Sequence, residues 1–349
     1  MSALPATPTD TQSDSAADDG SHWIASDGLL DGALLAAAAA RVRGVLPETP
    51  LVRSERFGAW LKLESLQITG AYKVRGALNA LASQVERGDY RPIFAASAGN
   101  HGLGVAWSAR RLGLAATIVV PDGAPRTKVA GCQALGARVI RAGDGFESCV
   151  ARARALANAS GGRFLHAFDD AEVIAGQSTV AAELLAARPD VVVVPIGGGG
   201  LIAGVGSLLR RHGVRVVGAQ VEGVDSLRRA LAREGVPAHP VATTLADGLR
   251  VAAPGRLPLR IASAFLDEIV VVSEDEVANA LASLALHERV VAEGAGAVAV
   301  AALQRVAGAR RVAVVSGGNI DAHRLGRILS GSRMGTLEGF PDPPAPGSA

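Results

Sequence analysis

Val191-Val192-Val193-Val194-Pro195-Ile196-Gly197-Gly198-Gly199-Gly200-Leu201-Ile202-Ala203-Gly204 is a continuous apolar run that enters four glycines and leaves as a small-residue helix. An apolar run without alternation reads as a strand buried on both faces, which is the habit of parallel sheets covered by helices. Four consecutive glycines are entropically costly, and a plain turn does not require them. They let backbone N–H groups face a ligand at a helix start, where the helix dipole favours negative charge. A phosphate fits such a place. The spacing is neither the dinucleotide fingerprint nor a Walker loop, which ends in Gly-Lys-Ser/Thr. A packing turn that merely needs small residues is the plainer explanation.

The same grammar repeats on either side. Strands are expected over 59–64, 92–96, 116–120, 138–141, 214–221 and 311–315, and helices over 28–43, 74–86, 102–112, 128–135, 147–160 and 201–212. Apolar strands alternating with helices predict an α/β fold with open parallel sheets and helices on both faces. At 349 residues the chain is long enough for two compact lobes. A Ser/Thr/Asp/Pro-rich start over 1–27 and a Pro-rich end over 336–349 are expected as disordered tails.

Composition excludes several classes. A formal net charge of +2 offers no case for nucleic acid or an anionic membrane. No apolar run has membrane-spanning length with suitable flanks. The start lacks the basic region of a secretory signal. Two cysteines, Cys132 and Cys149, make neither a disulfide framework nor a zinc site. They suit a reducing compartment, and the cytoplasm is the expected location.

Only three lysines occur, at 62, 73 and 128. Lys62 falls on an expected strand and reads as a surface or edge charge. Lys73 lies in Gln67-Ile68-Thr69-Gly70-Ala71-Tyr72-Lys73-Val74-Arg75-Gly76-Ala77-Leu78-Asn79, between a Thr-Gly turn and a helix start. An amine among apolar neighbours loses its proton more readily, and a neutral amine is what carbonyl chemistry needs. A helix lysine with its head in solvent is the bland alternative. Ala96-Ser97-Ala98-Gly99-Asn100-His101-Gly102 is a second small-residue loop between strand and helix, sized for a carboxylate. Ser316, in Val315-Ser316-Gly317-Gly318-Asn319, sits at a strand's carboxyl end, where open sheets place ligands. Taken alone, the hydroxyl reads better as a helix N-cap. Glu293, in Val291-Ala292-Glu293-Gly294-Ala295-Gly296-Ala297, is a weak fourth candidate. One amine, one phosphate cradle, one carboxylate loop and one hydroxyl together suit a phosphorylated aldehyde cofactor and an amino-acid substrate; pyridoxal phosphate meets that description.

These segments, with Val173-Ile174-Ala175-Gly176-Gln177-Ser178-Thr179, resemble the fold type II (tryptophan synthase β-like) pyridoxal-phosphate enzymes, most closely the serine/threonine dehydratases. The likeness runs from about residue 49 to 331. It implies two domains with the cofactor in the cleft between them: a large domain from 28–83 and 169–335, and a small one from 84–168. By resemblance Lys73 carries the cofactor covalently and moves the α-proton. Tyr72 packs near the ring, Asn100 meets the ring hydroxyl, and Ser316 meets the ring nitrogen. Gly197, Gly198, Gly199, Gly200 and Leu201 bind the phosphate, and Glu293 joins the cofactor contacts. Ser97, Ala98, Gly99, Asn100 and His101 hold the substrate carboxylate.

The implied reaction is β-elimination from a β-hydroxy amino acid, L-threonine or L-serine by default, to a 2-oxo acid and ammonia. A homodimer is the implied assembly. Related serine racemases carry a second serine where this chain has Ala98, so little racemisation is expected. Relatives bind a divalent cation (or K+) through a glutamate and an aspartate six residues on. Glu222 matches the first, but Arg228 stands at the second place, leaving Asp225 and Asp247 as substitutes and no metal as the expectation. No regulatory domain follows the Ser316 loop, so end-product feedback is not expected. Threonine synthases, cysteine synthases and specialised hydroxy-amino-acid dehydratases share the fold. Outside it stand a dehydrogenase using the tetraglycine loop for a dinucleotide, and a silent binding protein.

Overall fold

A computed structural model describes residues 21–97, 99–124, 126–233 and 243–331. Ala98, residues 1–20 of the tail expected over 1–27, and the tail expected over 336–349 lie outside the described residues. Residues 21–27, which the sequence reading placed in the leading tail, hold a 3-10 turn at Ser21–Trp23 and a bridge between Ile24 and Leu30.

Asp31 caps the first helix, α1 (Gly32–Val42), by accepting from the amides of Ala33 and Leu34. A hairpin follows: β1 (Leu51–Ser54) runs antiparallel to β2 (Ala59–Leu63). β1 is an addition to the expected pattern; its four residues are too few and too mixed in polarity to show periodicity. Next come α2 (Lys73–Glu86), β3 (Ile93–Ala96), α3 (Asn100–Leu112), β4 (Ala116–Val120), α4 (Arg126–Ala134), β5 (Arg138–Arg141), α5 (Phe146–Ala159) and β6 (Arg163–Phe164). The four strands β3 to β6 form one parallel sheet in the order β5-β4-β3-β6.

The chain then returns through α6 (Ala171–Ala182), β7 (Val191–Pro195), α7 (Gly200–Leu209), β8 (Arg215–Val221), α8 (Ser226–Leu231), α9 (Arg256–Ser263), β9 (Ile269–Val272), α10 (Glu274–Leu286), α11 (Gly294–Ala302), β10 (Arg311–Val315) and α12 (Ala322–Gly331). The second sheet has six strands in the order β1-β2-β10-β7-β8-β9, parallel except for β1. The late strand β10 is inserted between β2 and β7. Its end therefore lies beside the end of β2, with Val315 opposite Leu63.

The valine run of β7 shows why both faces are covered. Val191 and Val193 pack into a cluster with α10 and α11, while Val192 and Val194 pack into another with α1, α6, α7 and α9. Strand geometry turns successive side chains to opposite faces, so an unbroken valine run requires a helical layer on each. Burying one such side chain contributes roughly 1.5–3 kcal/mol. A third cluster joins α2 and α3 to β3 and β4. Among the described residues no helix is long and apolar enough to cross a membrane.

Lys62 is not the surface charge expected of it. It is 1% exposed on β2, and its Nζ donates to the Thr49 carbonyl at 2.7 Å and to the Glu183 carboxylate at 2.5 Å. Its anionic partner comes from 121 residues further along the chain, which no local pattern shows.

Candidate active site

Strand ends converge on one cavity of about 290 Å³. Tyr72, Lys73, Ser97, Gly99, Asn100, His101, the four glycines 197–200, Leu201, Glu293 and Ser316 all line it. Glu222 does not; it is an exposed residue just past β8.

Lys73 is the first residue of α2, and its Nζ donates to the Ala167 carbonyl at 2.9 Å. Removal from water pushes the amine down to about 8, against the opposing pull of Glu293. The positive end of the helix dipole acts in the same direction as burial. The Tyr72 ring stands 5.2 Å from Nζ, and burial, then Glu293, raises its phenol far above the ordinary range, so it stays protonated. The Tyr72 amide donates to the Ser316 carbonyl at 3.1 Å, and Ala71 bridges to Gly317. These bonds tie the lysine turn to the end of β10. The Ser316 hydroxyl is buried, with one long bond at 3.4 Å to the Ala295 carbonyl.

The glycine cradle is shaped by what its neighbours leave no room for. A Cβ on Gly198 would lie 2.4 Å from the Phe168 ring, and Gly199 has φ +92°, in the left-handed region. The loop therefore presents bare backbone at the start of α7. Phe168 was not foreseen from the sequence; only its contact with glycines 30 residues away makes it part of the wall.

A polar relay ties two of the lining residues, Asn100 and Glu293, to Asn319. Asn100 donates from Nδ2 to Glu293 Oε1 at 2.6 Å and accepts at Oδ1 from Asn319 Nδ2 at 2.8 Å. Asn319 also donates to the Thr69 carbonyl, just before the lysine turn. Burial, reinforced by Asp247, pushes the Glu293 carboxyl up to about 7, although Asn100, Lys128 and Arg324 pull it down. Asn319 was legible only as part of the Ser316 motif, not as the partner of Asn100. His101 Nε2 lies 3.2 Å from the Leu165 carbonyl, an acceptor, so that nitrogen carries the proton. Burial, then Lys73, pushes the ring down to about 3, so it is neutral at working pH. The Ser97 hydroxyl accepts from the Gly99 amide at 3.1 Å, which shapes the loop between β3 and α3.

The set fits pyridoxal phosphate: an amine near half-neutral at about pH 8, a bare-backbone cradle at a helix start, and a neutral hydroxyl at a strand end. The carboxylates that could stand with Glu222 as cation ligands are already paired with basic side chains. Both oxygens of Asp225 are engaged, Oδ2 by Arg228 at 2.8 Å and Oδ1 by Arg229 at 2.9 Å. Asp247, the other substitute, pairs with Lys128 at 3.4 Å and Arg324 at 3.6 Å. Among the described residues no group of three or more His, Cys, Asp or Glu side chains is placed to hold a metal ion.

Comparison with known proteins adds independent findings. The family model described as "Pyridoxal-phosphate dependent enzyme" matches residues 42–318. An L-threonine ammonia-lyase of Thermotoga maritima is 43% identical over 281 residues, covering 78% of this chain and 69% of that protein. A catabolic L-threonine dehydratase of Escherichia coli (strain K12) is 38% identical over 304 residues, covering 82% and 92%. Among solved structures, the processed form of threonine deaminase isoform 2 from Solanum lycopersicum superposes with a TM-score of 0.78 at 30% identity, covering 86% of this chain and 88% of that one. A pyridoxal 5'-phosphate-dependent aspartate racemase gives a TM-score of 0.79 at 27% identity, covering 84% and 97%. With a model matching most of its length and relatives at this identity, the chain belongs to the pyridoxal-phosphate dependent enzyme family.

Proposed function

We propose that this protein removes the β-hydroxyl and the α-amine from a β-hydroxy amino acid, L-threonine or L-serine by default, giving a 2-oxo acid and ammonia. The observation that carries this reading is a single cavity holding both the Lys73 amine and the bare tetraglycine helix start. The threonine-specific names of relatives at 38–43% identity support the substrate class.

Bound pyridoxal phosphate supplies an electron sink for the bond broken at the α-carbon. The chain's own groups do the rest. Lys73 would hold the cofactor and, as a free amine, would take the α-proton; a basicity near 8 suits both tasks. The amides of Gly197–Leu201 hold the phosphate at the start of α7. Ser316 would offer the ring nitrogen a neutral hydroxyl, which does not impose a full positive charge there and suits prompt loss of the β-hydroxyl as water. Asn100, fixed by Glu293 and Asn319, would meet the ring hydroxyl. The loop from Ser97 to His101 holds the substrate carboxylate through its amides, Ala98 included by sequence.

We also propose two lobes, 84–168 and the remainder of 28–335, with this cavity between them. The confinement of the four-stranded sheet to residues 93–164 supports the division. A homodimer in the cytoplasm completes the reading, supported by exposed Leu66, Ile68 and Val291 and by two free buried thiols. The test is a panel of hydroxy amino acids with detection of the oxo acid. L-threonine or L-serine should turn over, and Lys73→Ala should not act on either. A cofactor-loaded protein inert to the whole panel would overturn the reading.

A further inference from the structure

Arg75 stands two residues after Lys73 on α2, and its guanidinium is 0% exposed. Nε and Nη2 meet the two oxygens of Glu64 at 2.7 and 2.8 Å. Nη1 meets Glu183 Oε1 at 2.5 Å and the Thr179 hydroxyl at 3.2 Å, and Nη2 reaches Glu183 Oε2 at 3.0 Å. Lys62 closes the set on Glu183, while the Thr49 hydroxyl donates to Glu64 and the Thr49 amide to Glu183. Two cations and two anions thus cancel in the interior. Burial opposes the charge on Arg75, yet Glu64 and Glu183 raise its guanidinium above the ordinary range.

Stability alone does not call for this arrangement. A buried ion network is commonly replaced by well-packed apolar side chains with no loss, or with a gain, in stability. What a guanidinium fork on two carboxylates does supply is direction, because its donors are rigid and planar. The direction is imposed at a telling place. Glu64 follows β2, Glu183 and Thr179 belong to the end of α6, and Arg75 is in the first turn of α2. The neighbouring Gly76 presses α2 onto α6: a Cβ there would lie 2.2 Å from Gln177 Nε2 and 2.6 Å from the Val173 carbonyl. The first turn of α2 is therefore clamped from two sides. Lys73 opens that turn.

We propose that the buried Lys62–Glu64–Arg75–Glu183 cluster sets the direction in which the Lys73 side chain leaves the first turn of α2, making Arg75 a positioning residue for the reaction. The inference rests on Lys73 being the cofactor-bearing lysine. A misdirected amine still links to a flexible aldehyde. It transfers the α-proton poorly, because proton transfer requires hydrogen-bond reach and alignment.

The experiment uses the cofactor-loaded full chain. One variant is Arg75→Lys, which keeps the charge and loses the fork. The other replaces the set by Lys62→Met, Glu64→Leu, Arg75→Met and Glu183→Leu together. Each is measured for Tm, borohydride-reduced adduct on Lys73, kcat, KM and the pH profile of kcat. The expected result is an intact adduct, KM within threefold, kcat reduced at least tenfold, and a displaced pH profile. In the fourfold variant the wild-type Tm is retained or exceeded, a separation of stability from turnover that a merely structural cluster does not produce. A folded, adduct-bearing variant of either kind with kcat within twofold of wild type overturns the proposal. Should neither fold, Lys62→Met with Glu183→Gln, which removes one charge of each sign and spares the Arg75–Glu64 fork, is judged by the same rule. Absence of an adduct on Lys73 in the wild type would instead overturn the cofactor reading.

Discussion

At the residue scale, the account turns on the basicity of one amine. Apoprotein should recombine with pyridoxal phosphate at a rate that rises with pH and levels off above about 8, where Lys73 loses its proton. Stopped-flow absorbance measures this; a rate still climbing through pH 10 would place the amine in water. Glu293 favours the ammonium form, so Glu293→Gln should move the levelling point to lower pH. That substitution also replaces an acceptor of the Asn100 bond, and cofactor affinity should fall several-fold, read by titration of the apoprotein. By the resemblance to the serine racemases, Ala98 stands in the sequence where those enzymes carry the serine that serves the second face of the α-carbon. With no side-chain proton to give there, D-serine should stay a minor product from L-serine in a chiral assay; D-serine as the main product would contradict this.

At the element scale, the cradle between β7 and α7 depends on absent side chains. Gly198→Ala puts a methyl 2.4 Å from the Phe168 ring, so the loop or the ring must shift. Overpacking of this kind costs about 1–3 kcal/mol. The variant should therefore lose cofactor affinity by ten- to a hundredfold, with the adduct still on Lys73 when saturated; unchanged affinity would show that the loop's backbone does not hold the phosphate. The run from β2 to α5 and from β7 to β8, with β10, was readable, whereas β6, β9, α6, α8, α9, α10 and α12 stand outside the expected pattern. The valine run of β7 could only be a strand covered twice, and the glycines could only follow it as a loop. The lysine turn stood out because lysine is so scarce. What stayed hidden is contact between distant segments. Lys62 looked solvent-facing because Glu183 is 121 residues away, and Asn100 gave no sign of Glu293 or of Asn319, 193 and 219 residues on. Nothing in the sequence announces the partners of Arg75, since neither of its carboxylates lies on its own helix. The β1 edge strand was too short to show a period.

At the scale of the whole molecule, the buried Glu293 links the site to folding. Its carboxyl titrates near 4.5 when unfolded and about 7 when folded, so the folded apoprotein holds the extra proton between these values. The stability this brings is fully present below the lower value and is lost as pH rises through 7. His101 and His166, both pushed down by burial, act with the opposite sign in part of that range. The comparison is therefore the Tm difference between Glu293→Gln and wild type, in which the histidines cancel. The variant should gain on the wild type as pH rises from 5 to 8; a flat difference would mean that Glu293 is not held protonated. The two sheets, the relay and the clamp around α2 all converge on the atom at the end of the Lys73 side chain. Borohydride reduction of the purified, cofactor-loaded protein followed by peptide mass spectrometry examines that atom most directly. The predicted result is a pyridoxyl adduct on Lys73; an adduct on Lys62 or Lys128, or no adduct at all, would contradict the account.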